Sequence, residues 1–349
     1  MSMPRVLVEC VPNFSEGRDK QLIDKITSPI RDAKGVSLLD IDMGHDFNRT
    51  VVTMVGGPEE VLSTVIECTR IATDLIDMRE HTGEHARMGA VDVVPFIPIK
   101  GISMEDCVTL SERYAQAVSD ELDLPIYLYA EAARTPQRKR LPDIRRGQYE
   151  GMEEKVTSPE WKPDYGPAEF KPRVGVTASG ARPILIAYNV NLDTDEKSKA
   201  NSIAAKIRTS GALLKDENGE KIIGDDGKAI RKPGMFQSLQ AAGWMYDPET
   251  AQVSMNLLDY DVTGLHEVTE AIRLEAKKIG LNVTAGELVG LVPLNAMVSA
   301  GNFYNTEDSV IDEKSVVEKA ISALMLDVLG DFDPKSSIIE WAIDGGVEE

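Results

Sequence analysis

The chain has 349 residues, 42% of them hydrophobic, which is more than one core absorbs, since single cores stop growing at roughly 250–300 residues; two lobes are expected. A formal charge of −20 argues against non-specific binding to nucleic acid or to an anionic membrane, both of which need basic surface. No apolar run approaches the ~18 residues of a membrane helix, the opening MSMPRVLVEC lacks the apolar segment of a secretory leader, and Cys10, Cys68 and Cys107 form neither a CxxC pair nor a disulfide framework, so a cytoplasmic protein with small buried cysteines is expected.

Residues 5–12 (RVLVECVP) are short, apolar and β-branched and predict a buried strand. A helix is expected at 19–33, then strands at 36–42 and 49–55. Gly56, Gly57 and Pro58 punctuate the chain before an amphipathic helix at 59–77. The strand at 91–99 contains Pro95 and Pro98, which suggest a sheet edge or an irregular strand end. This order, β-α-β-β-α-β, is ferredoxin-like, and a helix at 103–122 and a strand at 125–130 extend it. Residues 147–183, rich in Pro and Gly, predict a long irregular connection. The lobe boundary is placed at its end, giving lobes 1–183 and 184–349.

The order then repeats. Strands at 184–192, 237–246, 251–260 and 287–292 alternate with helices at 193–209 and 264–279. Between them, 215–233 carries Asn218-Gly219 and Asp226-Gly227, turn dipeptides that predict an exposed hairpin insertion. Residues 310–343 are expected to be mostly helical, for packing or dimerisation. The class is α+β, of the kind often filed as an α/β sandwich: two ferredoxin-like subdomains with mixed sheets, their bare faces bounding a substrate groove.

Two of the four histidines fall in the polar segment Glu80–Gly89 (EHTGEHARMG), which leads into a buried strand. An imidazole there can take and give a proton near neutral pH, or it can simply be solvated. His81 to His85 also matches H-x-x-E-H, a zinc-hydrolase signature, but that motif needs a helix, and Gly83 and Gly89 oppose one. Asp40 and Asp42 share one side of their strand by alternation. Arg49 can grip a substrate carboxylate in two-pronged fashion or pair with one of these acids. Segment 134–146 sets Arg134, Arg138, Lys139, Arg140, Arg145 and Arg146 against Asp143 alone, either an anion site or a solvated basic surface. The loop 166–175 offers an apolar face in Phe170 and cations in Lys171 and Arg173, and reads equally as a linker. No phosphate-binding P-loop and no GxSxG nucleophile elbow is present.

Several segments point together to one family. Val8–Gly17 (VECVPNFSEG), Asn48-Arg49-Thr50, Gly83–Gly89 (GEHARMG), Asp92–Pro98 (DVVPFIP), Tyr127–Arg134 (YLYAEAAR), Thr177–Arg182 (TASGAR) and Leu288–Pro293 (LVGLVP) resemble glutamate formiminotransferase, in order and over nearly the whole chain. The resemblance implies two α/β subdomains that form a homodimer. It implies transfer of a formimino group from N-formimino-L-glutamate to N5 of tetrahydrofolate, the co-substrate, with no metal. His85 becomes the acid–base residue, and Asp42 a candidate to steady an imidazolium or amidinium. Arg49 and Arg87 become candidates for the substrate carboxylates. The folate-contacting loop falls on Gly166, Pro167, Ala168, Glu169, Phe170, Lys171, Pro172, Arg173, Val174 and Gly175. Animal relatives fuse this unit to a cyclodeaminase; the chain stops near Trp341-Ala-Ile, so a separate cyclodeaminase acting downstream is expected. The sequence departs from the animal pattern at Ala86, in the 215–233 insertion and at several folate-loop positions. Other readings stay open: N-formyl-glutamate as donor, a folate-binding module without turnover, and the zinc hydrolase.

Overall fold

The computed structural model describes residues 6–217, 219–224, 227–305, 312–330 and 332–345. Asn218 and Asp226 of the two turn dipeptides, Arg5 of the first expected strand, and residues 310, 311 and 331 of the C-terminal stretch lie outside the described residues. The chain divides into two compact units, Met1–Pro183 and Ile184–Glu349.

The first unit is built on one sheet. β1 (Leu7–Cys10) and β2 (Asn13–Phe14) are two pieces of one strand interrupted at Val11-Pro12, where proline has no N–H for a ladder. α1 (Lys20–Asp32) starts at Asp19, whose side chain accepts from Leu22 N at 3.1 Å, and it buries Ile23, Ile26 and Ile30 on one face. β3 (Val36–Gly44) and β4 (Arg49–Gly56) form a hairpin. α2 (Pro58–Leu75) opens on Pro58, whose missing N–H costs nothing at that position. β5 (Val91–Lys100) leads to α3 (Met104–Leu122), which starts with a Ser103–Asp106 capping box, and to β6 (Ile126–Ala130). Two short helices, α4 (Leu141–Ile144) and α5 (Met152–Thr157), precede β7 (Thr177–Ala181). The strands lie in the order β3, β4, β1/β2, β5, β7, β6, antiparallel as far as β5, with β7 parallel to both β5 and β6.

Two expectations are corrected here. The stretch 147–183 is not irregular throughout, because it ends in β7. Its Thr-Ala-Ser-Gly-Ala sequence has none of the large β-branched side chains that announce a strand. β5 is not an edge. The Pro95 carbonyl accepts from Val11 N at 3.4 Å, so the missing Pro95 N–H faces the interruption between β1 and β2. Pro98 lies past Phe96, the last residue paired with β7, beside a shift in the β1 register.

Alternation divides the sheet's side chains. Val52, Met54, Phe96 and Leu128 enter the core under the helices. Val93, Tyr127, Tyr129 and Ala178 point the other way and pack under Ile144, Met152 and Val156 of the connecting segment. The opposite face is therefore covered on its β5–β7–β6 side, while Asp40 and Asp42 remain exposed at the β3–β4 side. Cys10, Cys68 and Cys107 are all inaccessible in the helix-side core.

The second unit contains β8 (Ile186–Leu192), α6 (Lys197–Ile207), the short β9 (Ala212–Leu213) and β10 (Arg231–Lys232), β11 (Leu239–Asp247), β12 (Thr250–Leu257), α7 (Leu265–Lys278) and β13 (Val283–Val289). Helices α8 (Leu294–Tyr304), α9 (Glu313–Leu324), α10 (Pro334–Ser337) and α11 (Ile339–Gly345) follow. Its main sheet runs β11, β12, β8, β13, the same relative order as β3, β4, β1 and β5. Every pairing among these four strands is antiparallel; the described parallel pairing of the second unit is the single bridge between Val292 and Ile338, whereas in the first unit β7 runs parallel to two strands. β13 begins earlier than the expected 287–292, since its Val-Thr-Ala-Gly start carries little apolar signal. β9 and β10 pair antiparallel, and the chain between them continues as an arm through the bridges Lys215 to Lys221 and Ile223 to Ala229. Among the described residues no helix is long and apolar enough to cross a membrane.

Candidate active site

The segment 80–89 runs from α2 toward β5 without becoming helical. The one-face placement of His81 and His85 on which a zinc site of the H-x-x-E-H kind depends is therefore absent. Asn48 fastens the segment to the β3–β4 turn. It holds the left-handed conformation at φ 48°, which asparagine tolerates. Its side chain accepts from Gly17 N at 2.9 Å and donates to the Thr82 carbonyl at 2.9 Å. His81 Nε2 donates to the Asn48 carbonyl at 2.8 Å, and Arg87 Nε donates to His81 Nδ1 at 3.4 Å. Both nitrogens of His81 are thus taken, and burial first, then the charge of Arg87, lowers its pKa below the ordinary 6.5.

His85 has the other tautomer. Its Nδ1 donates to the Ala86 carbonyl at 2.6 Å, so Nε2 carries the lone pair. A guanidinium can only donate, and Arg49 Nη1 points at that lone pair from 2.8 Å. Phe47 meets the ring edge-on at 6.2 Å between centroids. Burial, then the charges of Arg49 and Arg145, pulls the His85 pKa below 6.5; the Ala86 hydrogen bond and Asp92 work in the opposite sense. The result is a neutral imidazole at neutral pH with its basic nitrogen oriented, which is what a general base requires.

Arg49 is the first residue of β4. Asp42 lies opposite Val51, two residues farther along β4, so Asp42 and Arg49 share the helix-free face. Asp42 is exposed, and its charge favours the Arg49 cation, as does that of Asp92; burial and Arg145 outweigh both and lower the Arg49 pKa. Among the described residues no carboxylate forms an ion pair with Arg49. Asp92, near the start of β5, is fully buried, accepts from Met88 N at 2.8 Å and pairs with Arg145. It shapes the turn after His85 and brings a second cation to the site.

The structure places other expected residues differently. Arg87 is engaged by Glu150 at 2.9 and 2.5 Å and by Gln148 at 3.2 Å, with its guanidinium over the Tyr149 ring. In the 166–175 loop, Phe170 packs on Tyr149 with centroids 5.4 Å apart, and Lys171 pairs with Asp123 at 2.6 Å. Arg173 donates to the Thr73 carbonyl at 3.1 Å and to that of Asp74, at the end of α2. The loop reaches the histidine segment through backbone. Ala90 N donates to the Val174 carbonyl at 2.8 Å and Val176 N to the Met88 carbonyl at 3.1 Å. At this crossing a side chain on Gly89 would stand 2.6 and 2.5 Å from the Val174 and Val176 carbonyls, and one on Gly175 would stand 2.2 Å from that of Met88.

Residues 7–182 match the pattern of the formiminotransferase domain, N-terminal subdomain, and residues 187–344 that of the formiminotransferase domain. The chain belongs to the formiminotransferase family. It is 38% identical to glutamate formimidoyltransferase of Streptococcus pyogenes serotype M1, over 89% of this chain and 97% of that protein. The Thermoplasma acidophilum protein of the same name is 37% identical, over 90% of this chain and 96% of that one. Formimidoyltransferase-cyclodeaminase of Mus musculus is 45% identical over 98% of this chain, which spans 61% of that longer relative.

Within this family member, Asp92, Arg145 and the fastening role of Asn48 went unread in the sequence as parts of the site. Each had a signal. Asp92 is an acid inside an otherwise apolar strand. Arg145 stands in the basic segment 134–146, which the fold splits. Arg138 pairs with buried Asp164 at 2.6 Å and Arg145 with Asp92, while Arg140 and Arg146 stay exposed near Asp143.

Proposed function

We propose that this chain transfers the formimino group of N-formimino-L-glutamate to N5 of tetrahydrofolate, releasing L-glutamate and 5-formimino-tetrahydrofolate. The observation that carries the reading is the His85 tautomer: a lone pair on Nε2, aimed at a cation that can also hold a carboxylate. N5 attacks the amidine carbon and a tetrahedral intermediate forms. His85 Nε2 takes the proton from N5 and returns it to the departing glutamate nitrogen, whereupon that C–N bond breaks. Arg49 grips a glutamate carboxylate. Asp42, on the same sheet face, steadies the amidinium. Arg87 contacts substrate only by leaving Glu150, so it ranks behind Arg49. The 166–175 loop receives the folate, with the exposed Ala168 and Glu169 and the Phe170 ring as its presented surface. Alignment of two bound reactants supplies much of the rate. In this reading the protein works as a cytoplasmic homodimer.

The direct test mixes the pure protein with tetrahydrofolate and either N-formimino- or N-formyl-L-glutamate and follows the 5-substituted folate. Product from the formimino donor is expected. Product from the formyl donor alone would keep the site and change the substrate. No product from either would overturn the reading.

A further inference from the structure

The arrangement that makes His85 a base also blocks it. Nδ1 is committed to the Ala86 carbonyl, and the single lone pair of Nε2 already accepts from Arg49 at 2.8 Å. In this state the ring cannot take a proton from anything else. We propose that Arg49 masks His85 in the free protein and that a carboxylate of the incoming donor unmasks it, so that the base is switched on by the substrate it serves. This rests on the transfer reading above and adds a gate to it.

Arg49 is the mobile partner. The His85 ring is held by Ala86 and flanked by Phe47, whereas the Arg49 side chain is long, only partly buried and without a carboxylate of its own among the described residues. The charge around it invites an anion. Arg49 and Arg145 repel each other, and the one buried acid at the site, Asp92, is already paired with Arg145. A carboxylate accepting two parallel N–H bonds from a guanidinium is a stronger partner than an imidazole nitrogen. The groups facing His85 are Arg49 from β4, Arg145 from the segment after α4, Asp92 from β5 and Phe47 from the β3–β4 turn. Of these, only Arg49 both touches Nε2 and is free to leave. Its departure exposes the lone pair. Neutralisation of its charge by the carboxylate also makes that nitrogen more basic.

The test uses full-length protein with isotope-labelled histidine. The His85 ring signals are assigned by their loss in His85→Gln, and their pH titration is followed with and without L-glutamate, whose binding is measured by calorimetry. L-Glutamate is expected to raise the His85 pKa. In Arg49→Ala the pKa of the free protein is expected to be raised already and to ignore glutamate. Kinetics give a second readout. The acid limb of kcat/KM reports free protein and that of kcat the complex, so in the wild type the kcat limb lies at higher pH, and in Arg49→Ala the two coincide. Glutamate that binds without moving the His85 titration, in protein that still carries out transfer, overturns the mask and leaves the transfer reading intact. Protein that neither binds glutamate nor transfers overturns both.

Discussion

In the proposed transfer His85 is the acid–base residue, and its surroundings lead to two expected outcomes. His85→Ala should lower transfer by roughly 10²–10⁴-fold, the usual worth of a positioned acid–base group, while the circular dichroism of the variant matches the parent. The pH dependence follows from the sign of the shift. Because the folded pKa lies below 6.5, the ring stays neutral and kcat/KM holds steady as pH falls past that value, declining only below it. The same shift means that neutral His85 stabilises the fold above the unfolded-state pKa, and that this contribution is lost as pH drops through the folded pKa. Denaturant midpoints of parent and His85→Gln measured at neutral and acid pH check that sign. Asp92 gives a third prediction. Replacing it by Asn leaves Arg145 largely buried without its counter-ion, which costs about 3–5 kcal/mol, read as a lower urea midpoint. His85 stood out as a candidate in the sequence because it lies in a polar, glycine-flanked segment that leads into a buried strand. Asp92 did not, because one acid in an apolar strand does not say which distant arginine it meets.

At the scale of elements, the crossing of the histidine segment and the 166–175 loop leaves no room for side chains at Gly89 or Gly175. Gly89→Ala would drive a methyl group into two backbone carbonyls that have no side-chain freedom to yield. It should lower both thermal stability and transfer, by at least about tenfold if the segment moves by an ångström. Gly330→Ala, where nothing lies within 4 Å and, as at Gly89, the backbone is not left-handed, serves as the control for the substitution without the clash. Unchanged kinetics in Gly89→Ala would show that the two segments need not touch. Elements with large apolar periodicity, such as α1, α2 and β4, could be read from sequence nearly to their ends. β7 could not, because a strand of small residues packed between two others leaves no periodic trace. The central position of β5 was obscured by prolines whose missing donors happen to fall where a ladder is broken or shifted.

For the whole molecule, the duplicated β-α-β-β-α-β order was readable even though no residue-level repeat accompanies it. The same hydrophobic alternation and helical spacing recur in both units, and those patterns fix element order better than they fix pairing. The parallel strands of the first unit arise from the chain after β5, whereas the described chain after β13 of the second unit continues as helices, a difference invisible until β7 is known. The strongly acidic composition gave no hint that two arginines would gather beside His85, since net charge describes a surface and not a site.

The cysteines offer a use of this architecture. All three sit inaccessible in the helix-side core of the first unit, and burial pushes the Cys68 and Cys107 thiols up to about 12. A thiol reagent therefore waits for that unit to open. The labelling rate of unmodified protein becomes a clock for the opening of one unit, blind to the other, which carries no cysteine. If glutamate and folate bind where proposed, each should slow that clock, by a factor that equals its own binding term when both openings are in rapid equilibrium.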